Sequence, residues 1–292
     1  MTQPLLAHST DFGRMYSRQP GGQPEVPSIT TVIGMQTPDL LGWAGYMAAK
    51  ALADHPDLPV SAGQPAALRP LVREAASAAE QYRQATSERG DRVHAFAEQI
   101  ALRALSREHD VRGARELLAE HGESAYADRF EEWWQQYDVQ PLAPEVTVWN
   151  HAVGYAGTLD LVAVIAGRLC LIDFKTKGVD RRGQVKALDP RVVTQLTAGL
   201  KAEEFLQDAH TGSWAPWSYA EQYQQEPLLL AVAISERAVI PQRANPEILP
   251  QHWYKFCALR RLWERDREAA QAGVPLLPVP APPRQETRPE LT

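Results

Sequence analysis

Three ionisable residues interrupt two otherwise apolar segments near the middle of the chain. Asp160 lies in YAGTLDLVAVI (155–165), and Asp173 and Lys175 lie in LCLIDFK (169–175). Runs of apolar and β-branched residues predict strands that are buried on both faces of a sheet. Charges in such strands are costly unless they are compensated, so these three residues indicate a functional site.

The two segments are predicted to form a hairpin. With a two-residue turn at Gly167-Arg168, Asp160 lies opposite Lys175, and the period of two places Asp160, Asp173 and Lys175 on one face. A three-residue loop would move Asp160 to the other face. The prediction of a shared face therefore depends on the length of the turn.

Two neighbouring carboxylates call for a positive charge. They repel each other by about 4 kcal/mol at an effective dielectric of 20. Lys175 can neutralise one of them, which leaves the other for Mg²⁺ or Mn²⁺, hard cations that stay partly hydrated. The lysine can then orient or deprotonate the attacking water, or balance charge on phosphate oxygens. The residues predict metal-assisted phosphodiester hydrolysis, whereas an isolated Asp-x-Lys is more often a surface salt bridge.

The predicted secondary structure that positions these residues changes from mainly helix to strand near residue 140. A helix is predicted to begin at Thr37-Pro38 and to end before His55-Pro56. Further apolar stripes at helical spacing run through about 69–86, 89–106, 113–121 and 125–137. The chain from residue 27 to 140 is therefore predicted to be a mainly helical N-terminal region.

The chain from residue 141 to 273 is predicted to hold the sheet. Residues 143–150 form a further strand before the hairpin, and Leu228 to Ile234 form a late buried strand. A helix begins at Asp189-Pro190, and a final helix spans about 250–271. This order predicts an α/β fold in which helices cover both faces of a mixed sheet.

Both ends of the chain are predicted to be flexible. Residues 1–26 lack apolar periodicity, and residues 274–292 contain six prolines in nineteen positions. The predicted organisation is thus one folded unit, residues 27–273, between two flexible ends.

Composition limits the classes of function that remain. The 292 residues carry a net charge of −6, which excludes a wholly basic nucleic-acid coat protein. No apolar run approaches the ~20 residues of a membrane span, so a cytoplasmic location is expected. Cys170 and Cys257 are the only cysteines, too few for a zinc ribbon or a four-cysteine iron–sulfur cluster. Any metal must be held by oxygen and histidine.

The segment 157–177, GTLDLVAVIAGRLCLIDFKTK, resembles the core of the PD-(D/E)xK nuclease superfamily. The resemblance is to its RecB-like branch, which includes CRISPR adaptation nucleases and many phage exonucleases. It implies a restriction-endonuclease-like sheet core flanked by helices. It also implies that Asp160, Asp173 and Lys175 are catalytic, that both acids bind Mg²⁺ or Mn²⁺, and that the carbonyl of Phe174 reaches the metal.

Further positions extend the resemblance outside this core. The branch usually has a G-x-x-x-H pattern in an upstream helix, which GDRVH supplies with His94 as a metal ligand. The PSITTVIG stretch from Pro27 also looks like the N-terminal region of phage-type members. The cluster-bearing relatives do not fit a chain with two cysteines, so the resemblance implies a nuclease without an iron–sulfur cluster.

A glutamine on the helix after the lysine strand is the last matching position. Relatives carry it within Q-x-x-x-Y, and here Gln195 is the catalytic candidate, but Gly199 occupies the tyrosine position. Tyr155 or Tyr219 could supply a tyrosine instead. The departure leaves altered handling of the strand as an alternative.

Cations follow the proposed catalytic strand. The segment from Lys175 to Arg191 carries a net charge of +4 in a chain of −6, where a DNA backbone would pass. The predicted nucleic-acid-binding residues are Lys177, Arg181, Arg182, Lys186 and Arg191. The alternative is a solvated loop.

Three other features allow a structural or a functional interpretation. Glu145, on the strand before the hairpin, is either an outer acid of the site or an edge-strand charge, and Glu98, four residues after His94, stays unassigned. Aromatic residues before the late strand either pin a loop to the core or stack unpaired bases. These aromatic residues are Trp214, Trp217, Tyr219 and Tyr223.

Taken together, the residues and the resemblance predict a metal-dependent DNA exonuclease of phage or bacterial recombination and repair. Its expected partners are DNA and a recombinase or single-strand annealing protein. Two alternatives stay open: a DNA-binding or adaptor protein that keeps the fold without catalysis, and an endonuclease that uses the same residues.

Overall fold

The computed structural model describes residues 4–281, which contain ten β-strands and ten α-helices. The strands are β1 Ala7–Thr10, β2 Gly13–Tyr16, β3 Val26–Pro27, β4 Gln140–Asn150, β5 Tyr155–Ile165, β6 Arg168–Thr176, β7 Glu204–Asp208, β8 Ser213–Pro216, β9 Leu228–Ile234 and β10 Val239–Arg243. The helices are α1 Ile29–Gly34, α2 Leu41–Ala53, α3 Leu58–Ser61, α4 Pro65–Ala75, α5 Ala78–Ala104, α6 Val111–Glu120, α7 Ser124–Gln136, α8 Arg191–Leu200, α9 Tyr219–Tyr223 and α10 Leu249–Ala272.

A seven-stranded mixed sheet forms the centre of the fold, which confirms the predicted mixed sheet and adds β7, β8 and β10 to the four predicted strands. Its strand order is β10-β9-β6-β5-β4-β7-β8. Strands β6 and β9 are parallel and are connected through α8, whereas all the other neighbours are antiparallel. The three central strands are apolar on both faces because helices cover both.

Two apolar cores lie on opposite sides of this sheet. On one side, α5 and α7 pack Phe96 and Phe130 against Ile172 and its neighbours. On the other side, α8 and α10 bring Leu196 and Phe256 onto the sheet, with α1 beside them. Helix α5 runs unbroken from residue 78 to 104, whereas the sequence predicted two helical stripes over 69–86 and 89–106. The break falls instead between α4 and α5.

The turn of the central hairpin differs by one residue from its predicted position. The sequence predicted a turn at Gly167-Arg168, but Ile165 pairs with Arg168, so Ala166 and Gly167 form the turn. Both have positive φ, +49° and +73°, which is the backbone that a two-residue type I′ turn requires. Alanine rarely adopts this conformation, so the sequence pointed to the neighbouring pair.

The corrected register changes which residues face each other. The last pair of the β5–β6 ladder is Leu161 with Ile172, and one further step places Asp160 opposite Asp173. The prediction that Asp160 lies opposite Lys175 is therefore wrong. The alternation of faces is interrupted at Asp160, because Leu161 packs on the α5 side of the sheet and Leu159 packs on the α8 side. The predicted face of Asp160 therefore does not follow from the period of two alone.

The start of the chain has regular structure where the sequence predicted a flexible end. Strands β1, β2 and β3 form a small antiparallel sheet, and Tyr16 and Leu6 are fully buried. The indole N–H of Trp263 on α10 donates to the carbonyl oxygen of Phe12 at 3.0 Å. Strands of two to four residues are too short to show a period, and contacts distant in sequence stabilise them.

The C-terminal end of the described residues has no regular structure. Residues 274–281 have no helix or strand and are exposed, and the rest of the predicted tail, 282–292, lies outside the described residues.

The aromatic residues before β9 pack on the fold. Trp214 packs edge-to-face on Trp149, and Trp217 and Tyr219 pack on the core beneath α8. The aromatic insertion thus pins β7 and β8 to the fold.

Within residues 4–281, no helix combines the length and the apolar composition that a membrane span requires.

Candidate metal centre

Three carboxylates from adjacent strands form a row across the central sheet. Glu145 comes from β4, Asp160 from β5 and Asp173 from β6. The β4–β5 register pairs Pro144 with Leu161 and Val146 with Leu159, which places Glu145 opposite Asp160. The row therefore follows from strand register.

The sheet opens at Asp160. Beyond Leu161, the backbone N–H of Phe174 donates to Oδ2 of Asp160 at 2.6 Å. A side-chain carboxylate thus takes the place of a main-chain partner, which orients the carboxylate and holds the main chain of Phe174 at the site. The ring of Phe174 is buried against Phe130 and Trp133 of α7, and this packing fixes the position of Phe174.

Glu145 sits on a strained backbone. Its φ is +48°, in the left-handed region that non-glycine residues rarely adopt, and the β4 register shifts between Pro141 and Ala143 nearby. Such strain costs roughly 1–3 kcal/mol and is found most often where a side chain must be aimed. Here it accompanies a carboxylate that lies against Asp160.

His94 completes a group of potential ligands. Its Nδ1 lies 3.6 Å from Oδ2 of Asp160, and its ring packs edge-to-face on Phe174. One ligand atom from each of His94, Glu145 and Asp160 lies within 4.8 Å of the others. Two carboxylates and one imidazole suit Mn²⁺ or Mg²⁺. Glu145, which the sequence left between two interpretations, thus lies beside His94 and Asp160.

Asp173 is engaged by the lysine instead. Nζ of Lys175 lies 2.6 Å from Oδ2 of Asp173, which is 5% exposed. The contact is an ion pair and not a well-directed hydrogen bond, since this oxygen lacks a partner in hydrogen-bond geometry. Burial raises the pKa of Asp173 to about 6, even though Lys175 lowers it.

The site lacks positive charge. Burial, together with the charges of Asp160 and Glu98, raises the pKa of Glu145 to about 9. Burial lowers the pKa of Lys175, but Asp173 and Asp160 outweigh that effect and hold it above its usual value. Lys175 is therefore a cation at neutral pH, and the acids around it still repel one another. A divalent cation would remove that repulsion.

A cavity of about 290 Å³ lies over these residues. Lys175 and Gln195 line it together with His94, Glu145 and Asp160. The N-terminal sheet supplies another wall, where Arg14 and Tyr16 line the cavity. The hydroxyl of Tyr16 shares a 2.9 Å hydrogen bond with that of Thr158. Sequence reasoning missed this wall, because these residues carry no motif and lie in the segment predicted to be loose.

The predicted nucleic-acid-binding residues divide into two groups. Lys177 and Arg191 line a second cavity of about 280 Å³ that shares Lys175 and Gln195 with the first. Arg191 is bound to Asp189, so it adds little net charge. Arg181 and Lys186 line a different groove, and Arg182 is exposed on the loop between β6 and α8. The cations therefore extend away from the acids along this loop.

The structure explains the glycine at the expected tyrosine position. A Cβ on Gly199 would lie 2.5 Å from Cδ2 of Leu159, because α8 packs closely on β5 there. Tyr155 is buried and donates its hydroxyl to the carbonyl oxygen of Ala198, and Tyr219 packs on Phe205. Neither tyrosine lines the cavity over the acids, whereas Tyr16 does.

Comparison of the sequence with protein-family models and with curated proteins finds no match. The function must therefore be inferred from the residues and their arrangement.

Proposed function

We propose that this protein is a Mg²⁺- or Mn²⁺-dependent deoxyribonuclease that acts as an exonuclease. The observation that carries the proposal is the row of Glu145, Asp160 and Asp173 beside His94 and Lys175. Three carboxylates lie close together in partly buried surroundings, and the pKa values of Glu145 and Asp173 are raised, which supports a binding site for a cation.

The donor set fits a hard divalent cation. His94, Glu145 and Asp160 would hold it, and Asp173 and the main chain of Phe174 lie next to them. When bound, such an ion activates water and polarises a phosphate. Lys175 is protonated, so it donates hydrogen bonds to a phosphate oxygen or to the attacking water and balances the charge that develops there. Gln195 lies across the cavity, where it can orient the phosphate.

The fold is consistent with a restriction-endonuclease-like core. Strands β4, β5 and β6 form an antiparallel meander, and the chain then returns through α8, β7, β8 and α9 to β9, which is parallel to β6. The acids and the lysine lie where β5 and β6 separate. The cations that follow β6 supply contacts for a phosphate backbone, which supports DNA as the substrate.

The alternative, an adaptor protein that binds DNA without cutting it, drew support from the missing tyrosine. The close contact between α8 and Leu159 accounts for Gly199 by packing. A recombinase or single-strand annealing protein is the proposed partner under either function.

The decisive experiment uses end-labelled linear DNA and covalently closed circular DNA, each single- and double-stranded, with Mg²⁺, Mn²⁺ or EDTA. We expect metal-dependent loss of the linear forms alone, and the label will give the polarity. Asp173→Ala should remove this activity, whereas the matched control Asp266→Ala, an exposed acid on α10, should keep it. Cutting of circles would indicate an endonuclease, and salt-sensitive binding without cutting would indicate the adaptor.

A further inference from the structure

Helix α2 is almost entirely apolar, yet none of its side chains is buried. Lys50 is its only charged residue, and Leu41 and Tyr46 are 83% and 53% exposed. Apolar side chains gathered on an exposed surface indicate a binding site when other features identify what binds there.

One side of α2 borders a groove of about 610 Å³. The N-terminal part of α5 and the loop between β6 and α8 form its other walls. Three aromatic residues line it, Trp43 and Tyr46 from α2 and Tyr82 from α5. The rings of Trp43 and Tyr82 meet edge-to-face with their centroids 5.8 Å apart, so part of each ring face is left for a ligand. We call this feature the aromatic groove.

The loop adds positive charge to the aromatic groove. Arg181 and Lys186 line it, both are exposed, and neither forms an ion pair with any residue in the described range 4–281. Asp180 also lines the groove, but its carboxylate accepts hydrogen bonds from the backbone N–H groups of Arg182 and Gln184 in its own loop. The groove thus combines three aromatic rings with two loop cations and one carboxylate, so its loop wall keeps a net positive charge.

Helix α5 connects the aromatic groove to the metal centre. Tyr82, Thr86, Gly90 and His94 follow one another at intervals of four residues, so each lies about one turn further along α5 and about 40° further around it. Tyr82 lines the aromatic groove, and the other three line the cavity over the acids. Twelve residues at about 1.5 Å each separate Tyr82 from His94 by about 18 Å. That distance corresponds to about five nucleotides at the 3.4 Å stacked spacing.

We propose that the aromatic groove binds an unpaired DNA strand and leads it along α5 to the metal centre. The ring faces of bases are accessible only when the strand is unpaired, and aromatic side chains bind such bases with little dependence on sequence. The phosphates of the same strand would contact Arg181 and Lys186. The cations favour a polyanion over a protein partner for this surface. The proposal rests on the proposed nuclease function and narrows the substrate to DNA with a single-stranded or frayed end.

The test measures binding separately from cleavage. Fluorescence anisotropy of labelled oligo(dT) and of a blunt duplex of equal length is followed in EDTA, with the full chain. We expect Tyr46→Ala and Tyr82→Ala each to weaken oligo(dT) binding at least about fivefold, with no comparable change for the duplex. Tyr82→Phe keeps the ring and should bind like the unaltered protein. The matched control is Tyr254→Ala, an exposed tyrosine on α10.

The salt dependence gives a second readout. Arg181→Gln with Lys186→Gln should reduce the slope of log affinity against log salt by about 1.4. Unchanged oligo(dT) binding in Tyr46→Ala and Tyr82→Ala would overturn the proposal. So would a change of oligomeric state in Tyr46→Ala, since that result would assign the groove to a second copy of the chain.

The two proposals can fail separately. A protein that cleaves DNA but binds oligo(dT) equally well with and without Tyr82 would refute the aromatic groove alone. A protein that binds oligo(dT) through Tyr82 but cleaves nothing with Mg²⁺ or Mn²⁺ would refute the nuclease and keep the groove as a single-strand binding site.

Discussion

Two regions that contact α5 both contain buried acids, but they treat the negative charge in opposite ways. At the N-terminal end of α7, Glu123 is bound by two arginines of α5. Arg92 donates to both of its carboxylate oxygens at 2.7 Å, and Arg89 donates to Oε1 at 3.1 Å. Burial alone would raise the pKa of Glu123, but these hydrogen bonds hold it below its ordinary value.

The acid row near His94 has the reverse balance. Within residues 4–281, the ion pair of this row with a lysine or arginine is that of Asp173 with Lys175, and the pKa values of Glu145 and Asp173 are raised. The comparison shows how to tell a structural acid from a binding acid in one molecule. Two arginines pair with Glu123, whereas the acid row keeps raised pKa values beside Lys175, which is one basis of the proposal that it binds a divalent cation.

The largest expected effect comes from removing Lys175, the lysine that pairs with Asp173 of the acid row. Lys175→Ala should lower the rate of metal-dependent DNA cleavage by roughly 10²–10⁴-fold, because the reacting phosphate or water loses a positioned donor. DNA binding measured in EDTA should change little. Lys175→Arg keeps the charge and separates charge from shape. Near-normal turnover of Lys175→Ala would remove this residue from the mechanism and weaken the contrast with Glu123.

The next effect tests the other side of the comparison. Glu123→Gln leaves Arg89 and Arg92 without their counter-charge and should lower the free energy of unfolding by about 1–3 kcal/mol. The value is below that of a fully buried pair, because Arg89 is 37% exposed. Urea denaturation measures it. Metal-dependent cleavage per folded molecule should stay unchanged, and a specific loss of metal binding would contradict the structural role of Glu123.

The smallest effect is a pH dependence of stability that belongs to the acid row. A carboxyl whose pKa rises on folding holds its proton in the folded chain over a range in which the unfolded chain has lost it. For Glu145, stability of the metal-free protein should therefore fall as pH rises from about 4.5 to about 9. We expect a contribution of about 1–2 kcal/mol, or roughly 2–6 °C in Tm.

Thermal denaturation at several pH values, in EDTA and in Mn²⁺, checks this expectation. Glu145→Gln should flatten the decline in EDTA, and it should also reduce the stabilisation by Mn²⁺ that grows with pH in the unaltered protein. An unchanged decline in Glu145→Gln would show that other groups cause it. Glu123 has the opposite sign, since its lowered pKa contributes stability that is lost as pH falls.

The strands β5, β6 and β9 could be predicted from the sequence because they are largely apolar except at the site, whereas the short strands β7, β8 and β10 have no such pattern. Leu228 to Ile234 occupies the predicted positions of β9, and the acid, acid and lysine stood out against apolar neighbours. That these residues lie close together was predicted from the period of two of side chains along a strand. The exact turn could not be predicted, since Ala166 adopts a backbone that alanine rarely takes.

The part of the site that could not be predicted depends on contacts between distant segments. The position of Glu145 follows from the β4–β5 register and a positive φ, and neither leaves a pattern in the sequence. Arg14 and Tyr16 reach the cavity through a sheet of very short strands. Such strands are stabilised by partners more than a hundred residues away, as the bond between Tyr16 and Thr158 illustrates.

The hydrogen bond that attaches the N-terminal sheet to α10 affects the order in which the cavity is completed during synthesis. Domains tend to fold from the N-terminus as the chain leaves the ribosome. Here the wall that carries Arg14 and Tyr16 is anchored through Phe12 to Trp263. Strand β2 is also bonded to β5 through Tyr16 and Thr158, so the contact with α10 is an additional anchor that forms later as the chain grows. A growing chain that already contains every acid of the row therefore still lacks one attachment of the wall that lines the cavity.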